Sequence, residues 1–112
     1  MRHDYKKGYK VVCQNGLKYP LESACELEAI VEYGIGLISK PLPGCGPLAV
    51  FGALDDAVRF AMMSQRYLRV YSCRYTPSKK DYQYNRCGKS WPENSCGTIL
   101  ATTVELIEEI KQ

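Results

Sequence analysis

One segment with a clear helical period, residues 53–65, constrains the fold most, because strand-like runs lie on both sides of it. Apolar side chains recur on one helical face at Leu54, Ala57, Val58, Ala61 and Met62. Phe60 lies just off this stripe, while Asp55 and Asp56 fall in the first turn, where negative charge suits the helix dipole. The segment therefore predicts one amphipathic helix with a single buried face.

Strand patterns surround this helix. Residues 8–20 predict a β-hairpin, because Asn15-Gly16 can supply the positive φ values of a tight turn between two strands. The short apolar run 48–51 predicts a buried strand, and the run 67–75 alternates and is rich in strand formers.

The patterns of two segments fit both a helix and a strand. In residues 21–39 a capping-box pattern competes with alternation, and we expect a helical turn near 22–27 and a strand near 28–33. Residues 98–101 predict a strand, whereas 103–110 fit a strand and a helix equally well.

These elements predict an α+β fold: an antiparallel or mixed sheet of about five strands, with helix 53–65 packed on one face. The 112 residues fit one domain, 1–112. No apolar run approaches the ~20 residues that span a bilayer. The polar N-terminal segment lacks the apolar centre of a secretory signal, so we expect a cytoplasmic protein without a membrane partner.

The stretch between the two halves of the chain, "PLPGCGP" at 41–47, is a chain breaker. A phosphate-binding loop also uses glycines, but it needs free backbone N–H groups and usually a lysine at the next helix start. Three prolines remove such donors, and no lysine follows before the helix. The composition favours a rigid surface bend that leads into strand 48–51.

Six cysteines lie at positions 13, 25, 45, 73, 87 and 96, and none are spaced as C-x-x-C. A zinc ribbon needs such close pairs, so we expect no metal and mainly free thiols. Cys87 and Cys96 are the candidate disulfide pair, because both fall in the polar segment 76–97, which predicts one long loop. Free, bridged and metal-bound states all stay open.

The order of motifs along the chain carries a resemblance. This order resembles that of small single-domain proteins of phages and prokaryotes. The motifs are, in order, "YKVV", "VEYGIG", the Gly/Pro bend, "LAVFGALDDAVRFA", "RVYSCRY" and "GTILATTVELIEEI". That resemblance implies a protein that acts by occluding a host protein. The element "VFGALDDAVRFA" followed by a strand is also similar to a piece of the ADP-ribosyltransferase fold.

The second resemblance implies a site with an early His or Arg, a central Tyr or Ser and a late Glu. The only histidine, His3, precedes the first predicted strand. The late acids Glu105, Glu108 and Glu109 form a run that is typical of a solvated face. We therefore assign no catalytic residue and no cofactor, and the question of enzyme activity stays open, leaning towards none.

Charge is distributed unevenly along the chain. The net charge is +3, but residues 66–89 carry seven basic and one acidic side chain, which gives +6. This basic segment contains a strand face of Tyr67, Arg69, Tyr71 and Tyr75, and the loop after it adds Lys79, Lys80, Tyr82, Tyr84, Arg86 and Lys89. Aromatic rings beside cations can stack bases and meet phosphates, so the pattern predicts a single-stranded nucleic-acid site as one alternative.

The leading expectation is a small intracellular interaction protein with an unidentified protein partner. Exposed tyrosine, tryptophan and arginine are typical interface anchors, and Trp91 in the polar loop is one candidate. The same basic, tyrosine-rich residues would serve either a protein or a nucleic-acid partner. The sequence names neither the partner nor the oligomeric state.

Overall fold

The computed structural model of the chain describes residues 5–13, 21–23, 32–63, 68–85, 88–90 and 97–111. In chain order the elements are β1 (Lys6–Cys13), β2 (Leu21–Ser23), β3 (Glu32–Tyr33), β4 (Ile38–Ser39), β5 (Leu48–Phe51), α1 (Leu54–Met63), β6 (Leu68–Pro77), β7 (Gln83–Asn85), β8 (Gly88–Ser90) and β9 (Thr98–Ile110). The named strands pair antiparallel, and α1 packs on one face of the main sheet. The predicted α+β class is confirmed.

Four of these strands form a closed ring of pairings, which we call the strand ring. β1 pairs with β6, β6 with β9, β9 with β5, and β5 returns to β1 through the pair Tyr9 and Phe51. β2, β3 and β4 extend the sheet from this ring. Because the strands alternate, each presents one set of side chains to the inside of the ring and the other set to the outside.

The inside of the ring holds the larger apolar cluster. Its buried members come from all four ring strands and from β3, and they are Val12, Tyr33, Leu48, Val50, Tyr71, Cys73, Tyr75, Ala101, Val104 and Leu106. The outer cluster forms where α1 covers the sheet, and its buried members are Val11, Phe51, Ala57 and Val70. Neighbouring residues such as Val11 and Val12 therefore belong to opposite faces.

The helix prediction is confirmed, but one member of its buried stripe is wrong. Ala57 is fully buried, whereas Met62, which the helical spacing places on the stripe, is 76% exposed. Phe60 packs in the outer cluster instead, with its ring centroid 5.4 Å from that of Phe51. Met62 therefore faces solvent at the end of α1, whereas Phe60 contacts Phe51 of β5.

The late segment 98–110 is one continuous strand, so the open choice for 103–110 is resolved as strand. Its pairing with β6 shifts at two places. Ser72 pairs with Glu108 and Cys73 with Leu106, and the next shift follows Thr76. Each shift inserts one extra residue in β9, which bends the strand as a β-bulge does. The bends let β9 pair with β6 on one side and with β5 and β4 on the other.

The first hairpin differs from its prediction. The strand at 8–13 is confirmed, but Val12 pairs with Ser23 and Cys13 with Glu22. A two-residue turn at Asn15-Gly16 would have paired Cys13 with Lys18, so that tight register is wrong; the turn itself lies outside the described residues. The helical turn near 22–27 is also wrong at its start, since residues 21–23 are strand.

The predicted long loop at 76–97 also needs correction. β6 continues to Pro77, and β7 and β8 pair as a separate two-stranded sheet inside that segment. By contrast, the predicted bend at 41–47 and the strand 48–51 are confirmed. In the bend, Cys45 N–H donates to the Leu42 carbonyl across a Pro43-Gly44 turn, with Gly44 at a φ of 78°. Proline followed by a positive-φ glycine is the pattern of a type II turn.

Within the described ranges, no helix is long and apolar enough to cross a bilayer.

Candidate functional site

A cleft of about 660 Å³ opens where the 41–47 bend meets the end of β6. Its walls are formed by Lys40, Pro41, Cys45, Gly46, Pro47, Thr76, Pro77, Ser78, Lys79, Lys80, Tyr84 and Thr102. Three separate parts of the chain thus converge on one concavity. This volume lies within the range of ordinary ligand pockets, ~300–1,000 Å³.

The cleft has a positive lining. Lys40, Lys79 and Lys80 are all exposed, and no lining residue within the described part of the chain is acidic. The other polar groups at the walls are the neutral hydroxyls of Thr76, Ser78, Tyr84 and Thr102. Lysine ammonium groups with hydroxyls beside them are a chemistry that suits phosphate oxygens.

Backbone hydrogen bonds hold the bend against β7. Gly46 N–H donates to the Tyr84 carbonyl at 2.9 Å, and Tyr84 N–H donates back to the Gly46 carbonyl at 2.6 Å. Beside them, the buried Gln83 side-chain amide donates to the Pro47 carbonyl at 2.9 Å. Pro41, Pro43 and Pro47 have no N–H to donate, so the bonds of Gly46 and the bond to the Pro47 carbonyl hold the bend in one position at the cleft.

Gly46 lies where the two walls of the cleft approach each other closely. A Cβ atom at position 46 would lie 3.3 Å from the Tyr84 hydroxyl and 3.5 Å from Pro41. The Tyr84 hydroxyl can therefore approach the backbone of the bend closely. The Tyr84 side chain thus forms an aromatic part of the cleft wall.

Lys80 contacts that wall. Its ammonium lies 4.4 Å from the centroid of the Tyr84 ring and 3.3 Å from the Tyr84 hydroxyl. Lys80 N–H also donates to the Ser78 side-chain oxygen, and Ser78 N–H donates to the Leu100 carbonyl. These bonds hold the 78–80 backbone at the cleft, while the ammonium stays in contact with water.

The structure separates the predicted site residues into groups. Lys79 and Lys80 line the cleft. Tyr71 and Tyr75 do not reach it, because each is only 4% exposed within the inner cluster. Arg69 lies at the opposite end of β6, where its guanidinium is 3.9 Å from Glu109. The predicted tyrosine face is therefore part of the core, because the inside of the ring needs large apolar surfaces.

The remaining predicted residues, Tyr67, Arg86, Trp91 and the cysteine pair Cys87 and Cys96, lie outside the described residues. Among the described cysteines, Cys45 and Cys73 are free thiols. In the same part of the chain, no cluster of three or more His, Cys, Asp or Glu side chains could hold a metal ion. The late acids Glu105, Glu108 and Glu109 are not among the cleft-lining residues.

Sequence reasoning missed two features of the site. No pattern marks Lys40, although it adjoins the Pro/Gly bend in the sequence. The composition of the bend favours a structural turn over a ligand loop, and the structure shows a turn that also lines the cleft. A basic residue beside a rigid bend is the signal that could have identified this wall.

A second missed residue is Lys10, which points into the strand ring and is only 1% exposed. Its ammonium donates to the Ala49 carbonyl at 2.6 Å and lies 5.1 Å from the centroid of the Tyr33 ring. From the sequence, a lysine in a predicted strand would be expected on the solvent-exposed face. Its four-carbon stem lets it fill apolar space while the head finds an acceptor.

Cys73 lies in the same interior. Burial raises the pKa of its thiol to about 12, against smaller opposing effects of the Lys10 charge and a Gly8 backbone hydrogen bond. The pKa of the Tyr75 phenol is also raised, by burial first and by Cys73 second. Both groups are therefore kept neutral, and a thiol in that state is a poor nucleophile.

Comparison with protein-family models, with curated proteins and with solved structures finds no match to this chain.

Proposed function

We propose that the protein is a binding protein for single-stranded nucleic acid, and that it holds the phosphates in the basic cleft. The observation that carries the proposal is the convergence of Lys40, Lys79 and Lys80 on one concavity with a tyrosine wall and no acidic lining among the described residues. Sequence-tolerant binders of single strands combine a positive groove with aromatic side chains. The cleft supplies the positive groove and one aromatic side chain, Tyr84.

A single strand fits this surface better than a duplex. Reading a duplex usually requires an element, commonly a basic helix, that enters a groove. The one helix of the described structure, α1, has Asp55 and Asp56 in its first turn and no basic residue in its last turn. Its Arg59 lies 3.8 Å from Asp56, within the same helix. A concave cleft with exposed lysines instead suits a flexible backbone.

The lysines predict how strongly salt weakens binding. Each phosphate contact on a single strand contributes about −0.7 to the slope of log K against log salt, so three contacts give about −2. These cleft contacts alone should then weaken binding roughly 20-fold when salt rises from 50 to 200 mM, and any further phosphate contact on the same strand makes the dependence steeper. This dependence separates phosphate binding from apolar docking, which changes little with salt.

The test is a fluorescence-polarisation titration of a labelled twelve-nucleotide thymidine strand at both salt concentrations. We compare the wild type with the double variant Lys79→Ala/Lys80→Ala, which should flatten the slope by about 1.4. Lys111→Ala is the matched control, because Lys111 is also exposed but follows the far end of β9. Binding that is unchanged in the cleft variant, or equally weakened in the control, would contradict the proposal.

A protein partner is the second candidate, and an exposed apolar edge favours it. Ile35, Leu37 and Ile38 are 61%, 66% and 52% exposed on the segment that runs beside β9. Exposed apolar surface of this kind is typical of interaction sites. The test is a pull-down that compares wild type with Leu37→Glu/Ile38→Glu. A partner retained by the wild type and lost by this variant, but kept by the cleft variant, would favour this candidate over the first.

A further inference from the structure

We propose that a bound strand leaves the cleft along the outer face of the sheet, past Thr76, to a second phosphate contact at Arg74 and Lys7. This inference rests on the proposed function, since it extends the same site. It assigns a role to Arg74 and Lys7, which neither the sequence patterns nor the cleft itself identified. It also sets the minimum length of strand that binds fully.

The register of the strands places these residues on one face. Lys7 of β1 pairs directly with Arg74 of β6, so their side chains share a face of the sheet. Thr76 is two residues beyond Arg74 on the same strand and therefore shares that face as well. Because Thr76 lines the cleft, the face that carries Lys7 and Arg74 continues into it.

The helix leaves this half of the face open. α1 packs against the other half, where Val11 and Val70 form the outer cluster with Phe51. From Val70 the same face of β6 continues through Ser72 to Arg74 and Thr76. Lys7 and Arg74 are both exposed. A strand emerging from the cleft thus meets exposed side chains of the sheet rather than the helix.

The spacing matches a short stretch of nucleic acid. From Arg74 to Pro77 at the cleft wall is three residues, or about 10 Å along the strand. Successive nucleotides of a stacked strand advance about 3.4 Å, and unstacked ones advance more. Two or three nucleotides therefore separate a phosphate in the cleft from one at Arg74. A trinucleotide fills the cleft alone, whereas a twelve-nucleotide strand can reach both contacts.

We call the proposed path from the cleft past Thr76 to Arg74 and Lys7 the track. One acidic residue on it would weaken phosphate binding and so provides a test of the track's position. Glu105 of β9 pairs with Arg74 from the other side, so the two share the face. Its carboxylate repels a phosphate at Arg74 and offsets part of the positive charge there. Removing that charge with Glu105→Gln should strengthen the binding of a long strand and leave a trinucleotide unaffected.

The experiment compares two probes, a trinucleotide and a twelve-nucleotide strand of thymidine, on the full chain. The trinucleotide is followed by amide chemical shifts of Lys79 and Lys80, which report millimolar binding. The longer strand is followed by fluorescence polarisation. The variants are Lys7→Ala/Arg74→Ala, Glu105→Gln, the cleft variant Lys79→Ala/Lys80→Ala and the control Lys111→Ala.

We expect Lys7→Ala/Arg74→Ala to flatten the salt slope of the long strand from about −3.5 to about −2, as for the loss of two of five contacts. The trinucleotide affinity should not change. Long-strand binding that is the same in Lys7→Ala/Arg74→Ala and wild type would overturn the track, as would a loss that is equal for both probes. Weaker or unchanged long-strand binding in Glu105→Gln would count against it too.

The two proposals fail in different ways. If the cleft variant weakens both probes while Lys7→Ala/Arg74→Ala weakens neither, the cleft binds nucleic acid and the track is wrong. If neither probe responds to the cleft variant, or the trinucleotide shifts no amide of Lys79 or Lys80, the proposed function itself fails.

Discussion

Two lysine–tyrosine contacts among the described residues share the same chemistry but differ in their surroundings. In the strand ring, the Lys10 ammonium lies 5.1 Å from the Tyr33 ring and is enclosed. At the cleft, the Lys80 ammonium lies 4.4 Å from the Tyr84 ring and is exposed. An ammonium–ring contact contributes about 0.5–1 kcal/mol at an exposed site and about 2 kcal/mol or more when water is excluded.

This difference determines what each lysine can do. Lys10 has exchanged water for a backbone carbonyl and a ring, so any movement would separate its charge from these groups inside an apolar interior. Lys80 keeps water and can exchange the tyrosine for a phosphate at little cost. The inner pair should therefore control stability, and the outer pair should control binding.

The largest effect is expected for Lys10→Ala. The change removes a long buried side chain together with its 2.6 Å hydrogen bond to the Ala49 carbonyl. Cavities of this size cost about 3 kcal/mol, and the lost hydrogen bond adds about 1 kcal/mol or more. Urea denaturation measures the free energy of unfolding. Lys10→Met keeps the volume of the stem, so it should lose less than Lys10→Ala. Equal stability of all three proteins would show that Lys10 is not enclosed.

The next largest loss of stability is expected at Gly8, where β1 approaches the rest of the strand ring closely. A Cβ at Gly8 would lie 2.8 Å from the Phe51 carbonyl oxygen and 2.8 Å from the Tyr75 ring. Gly8→Ala should therefore cost about 2 kcal/mol, since neither backbone nor core ring can yield cheaply. Gly52→Ala is the matched control, because its Cβ would meet only the end of the Ile99 side chain. A thermal melt that moves equally in both variants would contradict the close approach of β1 to β5 and β6.

Alkaline pH should destabilise the interior through Cys73. Its pKa is about 12 in the fold and near 9.0 ordinarily, so the unfolded chain releases the proton first as pH rises. Stability from this group is therefore complete below about pH 9 and falls as pH increases towards 12. At pH 10.5 the loss is about 2 kcal/mol. Urea denaturation at pH 8 and 10.5 should show a smaller loss in Cys73→Ala. An identical loss in both proteins would exclude Cys73 as the cause.

The smallest effect is expected at the outer pair. Lys80→Ala and Tyr84→Phe should change the free energy of unfolding by less than about 0.5 kcal/mol, as for other exposed positions. Lys80→Ala should nevertheless weaken oligonucleotide binding. Differential scanning calorimetry beside the binding titration tests both statements on the same samples. A large loss of stability in Lys80→Ala would contradict the view that only the inner pair, with Lys10, controls stability.

The fold was predictable where periodicity is local. The helix at 54–63 and the strand at 48–51 follow from apolar spacing over a few residues. The burial of Tyr71 and Lys10 was not predictable, because it depends on ring closure between strands that are distant in sequence. The bulges in β9 likewise arise from its pairing with several partners, and in the sequence the first appears only as a three-residue step between the inner residues Ala101 and Val104.

The candidate site was half predictable for the same reason. Lys79 and Lys80 stand out as part of a basic segment, whatever the fold. Lys40 and the bend join them only through the pairing of Gly46 with Tyr84, which links positions 38 residues apart. Charge clustering along the chain thus identifies one wall of a cleft, and tertiary pairing supplies the other.

The double role of β9 also has a consequence for how the chain acquires its structure. β9 follows β1, β5 and β6 in the sequence, yet it pairs with both β5 and β6. During synthesis the earlier strands therefore leave the ribosome with open edges and wait for a partner that arrives last. Folding dominated by such distant pairings takes milliseconds to seconds. A chain whose synthesis stalls before β9 would expose those unpaired strand edges to chaperones and to other nascent chains on the same mRNA.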